Sequence, residues 1–131
     1  MKLSSNEQEA ANRAEATALL IRAGYRVYRP EADVHGEDLI LRTPTNELLP
    51  VQLKGRPCVD QPRYGGKGIA MLFPDPAGAL GRPWYLIPHD EFFDWVQRGH
   101  SNTAGWANAW SYPRLDKGLT KFLEPFRIKS G

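Results

Sequence analysis

Cysteine is nearly absent from this chain: among 131 residues there is one, Cys58, which excludes an internal disulfide framework. Histidine is almost as scarce, and His35, His89 and His100 are too scattered to predict a zinc site. The chain also lacks any apolar run near the roughly 18 residues that a membrane span needs, and residues 1–8 do not resemble a signal peptide. These absences predict a cytoplasmic protein with no membrane association.

Charge of one sign is not in large excess either. There are 17 basic and 15 acidic residues, a net charge of +2 and a pI near 8.8, so contact with a polyanion is permitted but is not indicated by charge alone. The length suits one domain with its own core, and we find no internal repeat or linker. We therefore predict a single domain over residues 1–131.

The clearest helix signal lies near the N-terminus, over residues 5–22. Ser4 or Ser5 is a suitable N-cap, and Glu7 would lie in the first turn, where a carboxylate favours the helix dipole. Gly24 predicts the end of the helix. One side of the helix is apolar, and Glu15 falls inside that arc, so we expect it to face the sheet. The apolar members of the arc are Ala11, Ala14, Ala18, Leu19 and Ile21.

The rest of the chain predicts a mixed, mostly antiparallel sheet flanked by helices, an α/β fold. The predicted strands cover residues 25–29, 37–42, 48–54, 67–73 and 84–87, with a glycine-rich loop over 55–68. Pro50 suggests an edge position or a bulge in the third strand. The C-terminal part, residues 89–131, is rich in tryptophan and is predicted to be helical. We expect one helix over residues 89–98 that ends before Gly99, a second around Trp106 and Trp110, and a third over residues 116–123.

The second and third predicted strands form a hairpin that gathers polar side chains. With its turn centred near Asn46, residues whose numbers sum to 92 lie opposite each other, which pairs Asp38 with Lys54 and Ile40 with Gln52. Because side chains alternate along a strand, Asp38, Gln52 and Lys54 then share one face. The diagonal between Asp38 and Gln52 is about 7–8 Å at Cβ, a gap that two oxygen ligands can close around a metal.

The hairpin segments Gly-Glu-Asp-Leu-Ile-Leu (36–41) and Val-Gln-Leu-Lys (51–54) resemble the PD-(D/E)XK nuclease family, in a branch whose last motif reads Gln-X-Lys. The resemblance covers residues 7–54 and implies a restriction-endonuclease-like core whose first helix packs on the active-site face. It implies that Asp38, Gln52 and the Leu53 carbonyl hold a metal ion and that Lys54 orients the attacking water. Glu15 matches a glutamate that some branches place on the first helix as a further ligand.

The function that the resemblance implies is a Mg²⁺-dependent nuclease, with Mn²⁺ as a substitute, acting on DNA more readily than RNA. By the same analogy we expect a homodimer or larger homo-oligomer, because cutting a duplex requires two active centres. From the sequence itself, Arg56, Arg63 and Lys67 in the glycine-rich segment can contact phosphates, as can Arg22 at the end of the first helix.

Several alternatives stay open. A nuclease fold that has lost turnover, with Gln52 in place of a carboxylate, would serve nucleic-acid binding or protein assembly. An interaction domain with an ordinary solvated hairpin is a third reading. For Trp106, Trp110 and Tyr112 we favour packing in the core or an interface over base stacking, and for Asp33 and His35 a polar loop over a ligand role.

Overall fold

The computed structural model describes residues 1–32 and 36–129. Its elements follow in this order: α1 (Ser5–Arg22), β1 (Arg26–Tyr28), β2 (Leu39–Arg42), β3 (Leu48–Leu53), β4 (Cys58–Asp60), α2 (Gln61–Tyr64), β5 (Ala70–Pro74), β6 (Trp84–Pro88), α3 (His89–His100), β7 (Ala109–Ser111), α4 (Lys117–Leu123) and a 3-10 turn (Glu124–Phe126). In the part of the chain so described, no helix is both long and apolar enough to cross a bilayer.

The main sheet has five strands in the order β1-β2-β3-β5-β6. Only β3 and β5 run parallel, and the other neighbours are antiparallel. A second, two-stranded sheet pairs β4 with β7. The predicted α/β class, with a mixed and mostly antiparallel sheet flanked by helices, is confirmed.

Helix α1 begins and ends where the sequence predicts. Ser4 is the N-cap and forms a capping box with Glu7, and Gly24 follows the helix with φ +94°. The predicted apolar arc is wrong, because the buried residues are Asn12, Ala16 and Leu20. Alanine buries little apolar area, so the larger leucine side chain decides which side of the helix meets the sheet. The residues left exposed are Ala11, Ala14, Ala18 and Ile21.

Each face of the main sheet has its own hydrophobic cluster. The first lies under α1 and consists of Ala16, Leu20, Leu39, Leu41, Val51, Leu53, Ala70, Leu72, Trp84 and Ile128. The second lies under α3 and α4 and is centred on residues of β5, β6 and those helices, including Met71, Phe73, Ile87, Phe92 and Leu119. Successive residues of a strand alternate between the two clusters, as the pleat requires.

Three sequence predictions of local structure are wrong. Residues 55–68 are not an uninterrupted loop, because β4 and α2 lie within them, and Trp110 lies on β7 rather than on a helix. β4 pairs with a strand about 50 residues later, and short-range patterns do not reveal such a pairing. Gly99 lies inside α3 because glycine only weakens a helix. The prediction for Pro50 is correct locally: β3 is an interior strand, but β3 pairs with β5 only from Val51 onward, so Pro50 has a neighbouring strand on one side alone.

Two glycines should respond in opposite ways to alanine. Gly36 has φ +95°, and a Cβ there would lie 2.8 Å from Cε1 of Tyr64. We expect Gly36→Ala to lower the free energy of unfolding by about 2 kcal/mol. Gly99→Ala meets no atom within 4 Å and should raise it by about 0.5–1 kcal/mol. Urea denaturation of both variants measures the difference; equal stabilities would contradict the backbone geometry at Gly36.

Candidate active site

A surface cavity of about 380 Å³ lies between the N-terminal half of α1 and the ends of β2 and β3. The helix contributes Ser5, Gln8, Glu9 and Asn12, and the strands and the residues next to them contribute Asp38, Gln52, Leu53, Lys54 and Gly55. Three of the four predicted catalytic residues, Asp38, Gln52 and Lys54, therefore line one cavity.

The hairpin register differs from the predicted one by two residues. Leu39 pairs with Val51, so opposed residues within β2 and β3 sum to 90. Asp38 directly precedes β2, at a bend. The backbone N–H of Asp38 donates to the Val51 carbonyl at 2.8 Å. A shift of two residues keeps the side chains of β2 and β3 on their predicted faces.

The side chain of Asp38 accepts the last hydrogen bond between the β2 side of the hairpin and β3. Its Oδ2 accepts a hydrogen bond of 3.1 Å from the backbone N–H of Leu53. The N–H and C=O groups of one residue in an extended strand point to the same side. The Leu53 carbonyl is therefore directed toward the side of β3 on which Asp38 lies, as a backbone metal ligand at this position requires.

Gln52 is only 8% exposed, yet its side-chain oxygen has no hydrogen-bond partner within residues 1–32 and 36–129. A buried amide oxygen without a partner costs about 1–3 kcal/mol, so such an atom in a cavity wall points to a ligand. Carboxylate, amide and carbonyl oxygens are the donors that a hard divalent cation prefers. Asp38, Gln52 and the Leu53 carbonyl thus fit Mg²⁺, although the described residues contain no group of three His, Cys, Asp or Glu side chains that could hold a metal.

Lys54 follows the last residue of β3. Its backbone N–H donates to the Leu72 carbonyl at 2.9 Å, which fixes the main chain at the cavity wall. Its ammonium Nζ lies 5.5 Å from the ring centroid of Tyr64, a cation–π contact with a buried ring. This contact holds the flexible lysine side chain beside the cavity.

Glu15 does not line the cavity. Its two carboxylate oxygens accept hydrogen bonds of 3.0 Å from Nε and a terminal nitrogen of Arg82, and Oε2 also accepts one of 2.6 Å from the indole N–H of Trp84. The Arg82 guanidinium, with a smaller effect of Trp84, lowers the pKa of the Glu15 carboxyl. The predicted meeting of all four residues is corrected to three, because Glu15 is held by partners 67 and 69 residues away.

Four polar residues of α1 that were not predicted as site residues line the cavity: Ser5, Gln8, Glu9 and Asn12. Glu9 lines it while pairing with Arg13 at 3.0 Å, and Asn12 lines it with its side-chain oxygen bonded to Arg82 at 2.9 Å. The cavity positions on α1 are three or four residues apart, which is the spacing of one helix face. That spacing, starting at Ser5, was the available sequence signal.

The predicted phosphate-binding residues lie outside this cavity. Arg22 is exposed in the last turn of α1. Arg56 lines a neighbouring groove that shares Lys54 and Gly55 with the cavity. Arg63 lies over the Tyr64 ring at 5.3 Å, and the Lys67 ammonium donates to the Arg63 carbonyl. Arg56 therefore lies next to the cavity, while contact of Arg22, Arg56, Arg63 and Lys67 with phosphates stays a prediction.

The tryptophan-rich segment packs on the second core, as predicted. Trp106 and Trp110 are half-buried against it and Tyr112 is buried, and the Trp110 ring stacks on His100 at 4.4 Å. Asp33 and His35 lie outside the described residues.

No family model and no curated protein matches this chain. Among solved structures it is similar to a bacterial homing endonuclease, I-Ssp6803I, with a TM-score of 0.55 and 18% sequence identity over 88% of this chain and 80% of the other. At this identity the likeness shows a shared fold: this chain folds like a homing endonuclease.

Proposed function

We propose that this protein is a Mg²⁺-dependent DNA endonuclease of PD-(D/E)XK type with a Gln-X-Lys motif. The observation that carries the proposal is the meeting of the Asp38 carboxylate, the unpartnered Gln52 oxygen and Lys54 around one cavity. The likeness to a homing endonuclease fold supports phosphodiester chemistry as the class of reaction. Mn²⁺ is expected to substitute for Mg²⁺ because both accept oxygen ligands.

The three oxygen donors and the lysine have separate roles. Asp38, Gln52 and the Leu53 carbonyl would hold the cation, which when bound supplies positive charge for the phosphoryl oxygens and coordination places for water. The Lys54 ammonium has three N–H donors, with which it orients the attacking water and contacts a phosphate oxygen. Direct attack of this water on phosphorus breaks the bond to the leaving sugar oxygen, without a covalent enzyme intermediate.

Cutting both strands of a duplex requires two such centres. The chain has one cavity of this composition among its described residues, so we propose a homodimer or larger homo-oligomer as the form that makes double-strand breaks. If analytical ultracentrifugation shows that the protein is a monomer and it nonetheless cuts both strands at one point, this part of the proposal is contradicted.

Cleavage assays test the function directly. Wild-type protein is incubated with supercoiled plasmid, linear duplex, single-stranded DNA and RNA, each with Mg²⁺, with Mn²⁺ and with EDTA. We expect breakage of duplex DNA in either metal and none in EDTA. Absence of breakage on every substrate, in a folded protein, would favour instead a nuclease fold that binds nucleic acid or assembles with proteins without turnover.

Lys54→Met is the variant that separates water orientation from cation binding. Methionine keeps the apolar stem and removes the ammonium, so we expect the cleavage rate to fall about 100-fold while the affinity for Mn²⁺ stays within about twofold. Rates come from single-turnover cleavage and affinities from calorimetric titration. Lys121→Met, an exposed lysine of α4, is the control and should cleave like wild type. An unchanged rate in Lys54→Met would remove this lysine from the mechanism.

A further inference from the structure

The sheet face that carries Gln52 continues uncovered across β1 and β2. Directly opposed residues share a face, and the register opposes Arg26 to Arg42 and Tyr28 to Ile40. Alternation along β2 puts Arg42 and Ile40 on one side of the strand, and Asp38 directly precedes β2. Leu39 and Leu41, on the other side, pack under α1.

This region of the face is exposed to solvent, whereas α3 and α4 cover β5 and β6 on the same side. Tyr28 is 44% exposed and Leu48, opposite Arg42, is 60% exposed. A surface cavity of about 480 Å³ lies here, lined by Gly24, Arg26, Tyr28, Arg42, Thr43, Pro44 and Asn46. We call this surface the arginine face.

The arginine face holds two like charges in direct opposition. Such pairs are unfavourable unless an anion or a polar group lies between them. Within residues 1–32 and 36–129, the ion pairs involve neither Arg26 nor Arg42. The Arg42 guanidinium donates to the Asn46 side-chain oxygen at 2.9 Å, and hydrogen bonding to Arg42 and then to Arg26 lowers the pKa of the Tyr28 hydroxyl. Both guanidinium groups thus favour negative charge on the Tyr28 oxygen, as they would on a phosphate oxygen.

The distance from this pair to the cleavage site matches DNA. Arg42 ends β2 and Asp38 directly precedes the strand, a separation of four residues or about 13 Å at roughly 3.3 Å per residue. The major groove of B-DNA is about 12 Å wide. One duplex can therefore present one backbone phosphate at Asp38 and another, across the groove, at the arginine pair.

On the premise of the proposed function that the substrate is DNA, we propose that the arginine face binds the backbone of double-stranded DNA, with Arg26 and Arg42 together holding one phosphate. Guanidinium groups suit this role because their planar fork of N–H donors matches phosphate oxygens. The contact supplies affinity and position, and it carries no sequence information.

The test is duplex binding by the full chain in EDTA, which does not depend on cation binding or turnover. Fluorescence anisotropy over a series of salt concentrations compares wild type with Arg26→Gln/Arg42→Gln. We expect affinity to fall about tenfold and the slope of log affinity against log salt to fall by about 1–2. Arg26→Lys/Arg42→Lys keeps both charges and should stay within about threefold of wild type.

The control removes two positive charges at the opposite edge of the sheet. Lys117→Gln/Lys121→Gln alters exposed residues of α4, and we expect less than a twofold change in affinity. Wild-type binding by the Arg26→Gln/Arg42→Gln variant, or an equal loss in the lysine control, would overturn the proposal. If wild type never cleaves DNA but Arg26→Gln/Arg42→Gln loses duplex binding, the arginine face stands and the nuclease proposal fails. If wild type cleaves DNA but this variant binds duplex as wild type does, the nuclease proposal stands and the arginine face fails.

Discussion

Asp38→Asn is expected to lower the rate of DNA cleavage by about 1000-fold or more without unfolding the protein. The substitution removes the only charged oxygen ligand that we assign to the cation, and electrostatic stabilisation by a bound metal contributes several kcal/mol, at about 1.4 kcal/mol for each factor of ten in rate. Asparagine retains a side-chain oxygen that can accept from the Leu53 N–H. The melting temperature should therefore change by no more than about 5 °C.

Two comparisons make the result specific to the site. Asp94→Asn, an exposed aspartate of α3, should cleave at the wild-type rate. Asp38→Ala should lose both cleavage and the hydrogen bond that terminates the ladder, which costs about a further 1 kcal/mol of stability. Cleavage by Asp38→Asn at more than about a tenth of the wild-type rate would show that this carboxylate has only a structural role.

Glu15→Ala is expected to lower the free energy of unfolding by about 2–3 kcal/mol. The change removes the anionic partner of the Arg82 guanidinium, whose side chain is 12% exposed and which keeps only its hydrogen bond to Asn12 among those described. It also leaves the buried Trp84 indole N–H without its acceptor. Glu9→Ala is the matched control, since it removes an exposed helix pair with Arg13 and should cost less than about 0.5 kcal/mol. Urea denaturation at neutral pH gives both values.

The effect of Glu15 should depend on pH in one direction. Because the pKa of its carboxyl is lowered from 4.5 on folding, the charged form stabilises the protein above that value, and this contribution is lost as the pH falls through the lower folded-state pKa. The difference between wild type and Glu15→Ala should therefore shrink in acid. Cation affinity separates this role from that of a ligand: an unchanged Mn²⁺ affinity in Glu15→Ala fits the observed contacts, and a tenfold loss would restore Glu15 as a ligand.

Local patterns predicted the parts of the fold that depend on nearby residues. The capping box at Ser4 and the glycine at position 24 set the bounds of α1, because caps act over three or four residues. The side-chain alternation of the hairpin put Asp38, Gln52 and Lys54 on one face, and the cavity contains all three. The register error of two residues did not matter, since the period of a strand is also two.

The parts that the sequence did not predict depend on distant partners. Nothing near Glu15 indicates Arg82 and Trp84, which reach it from the connection before β6 and from β6 itself. The pairing of β4 with β7 likewise joins segments about 50 residues apart, so a segment rich in glycine and basic residues was taken for a loop. The orientation of α1 followed Leu20 rather than the alanines, because packing area and not the number of apolar residues decides it.

Anomalous scattering from crystals grown with Mn²⁺ tests the cation site itself. We predict one strong peak in the cavity beneath the N-terminal half of α1, about 2.1 Å from a carboxylate oxygen of Asp38 and from the side-chain oxygen of Gln52. A cavity without a peak at saturating Mn²⁺, or a peak whose ligands include neither Asp38 nor Gln52, would contradict the assignment of this cavity as a metal-dependent nuclease centre.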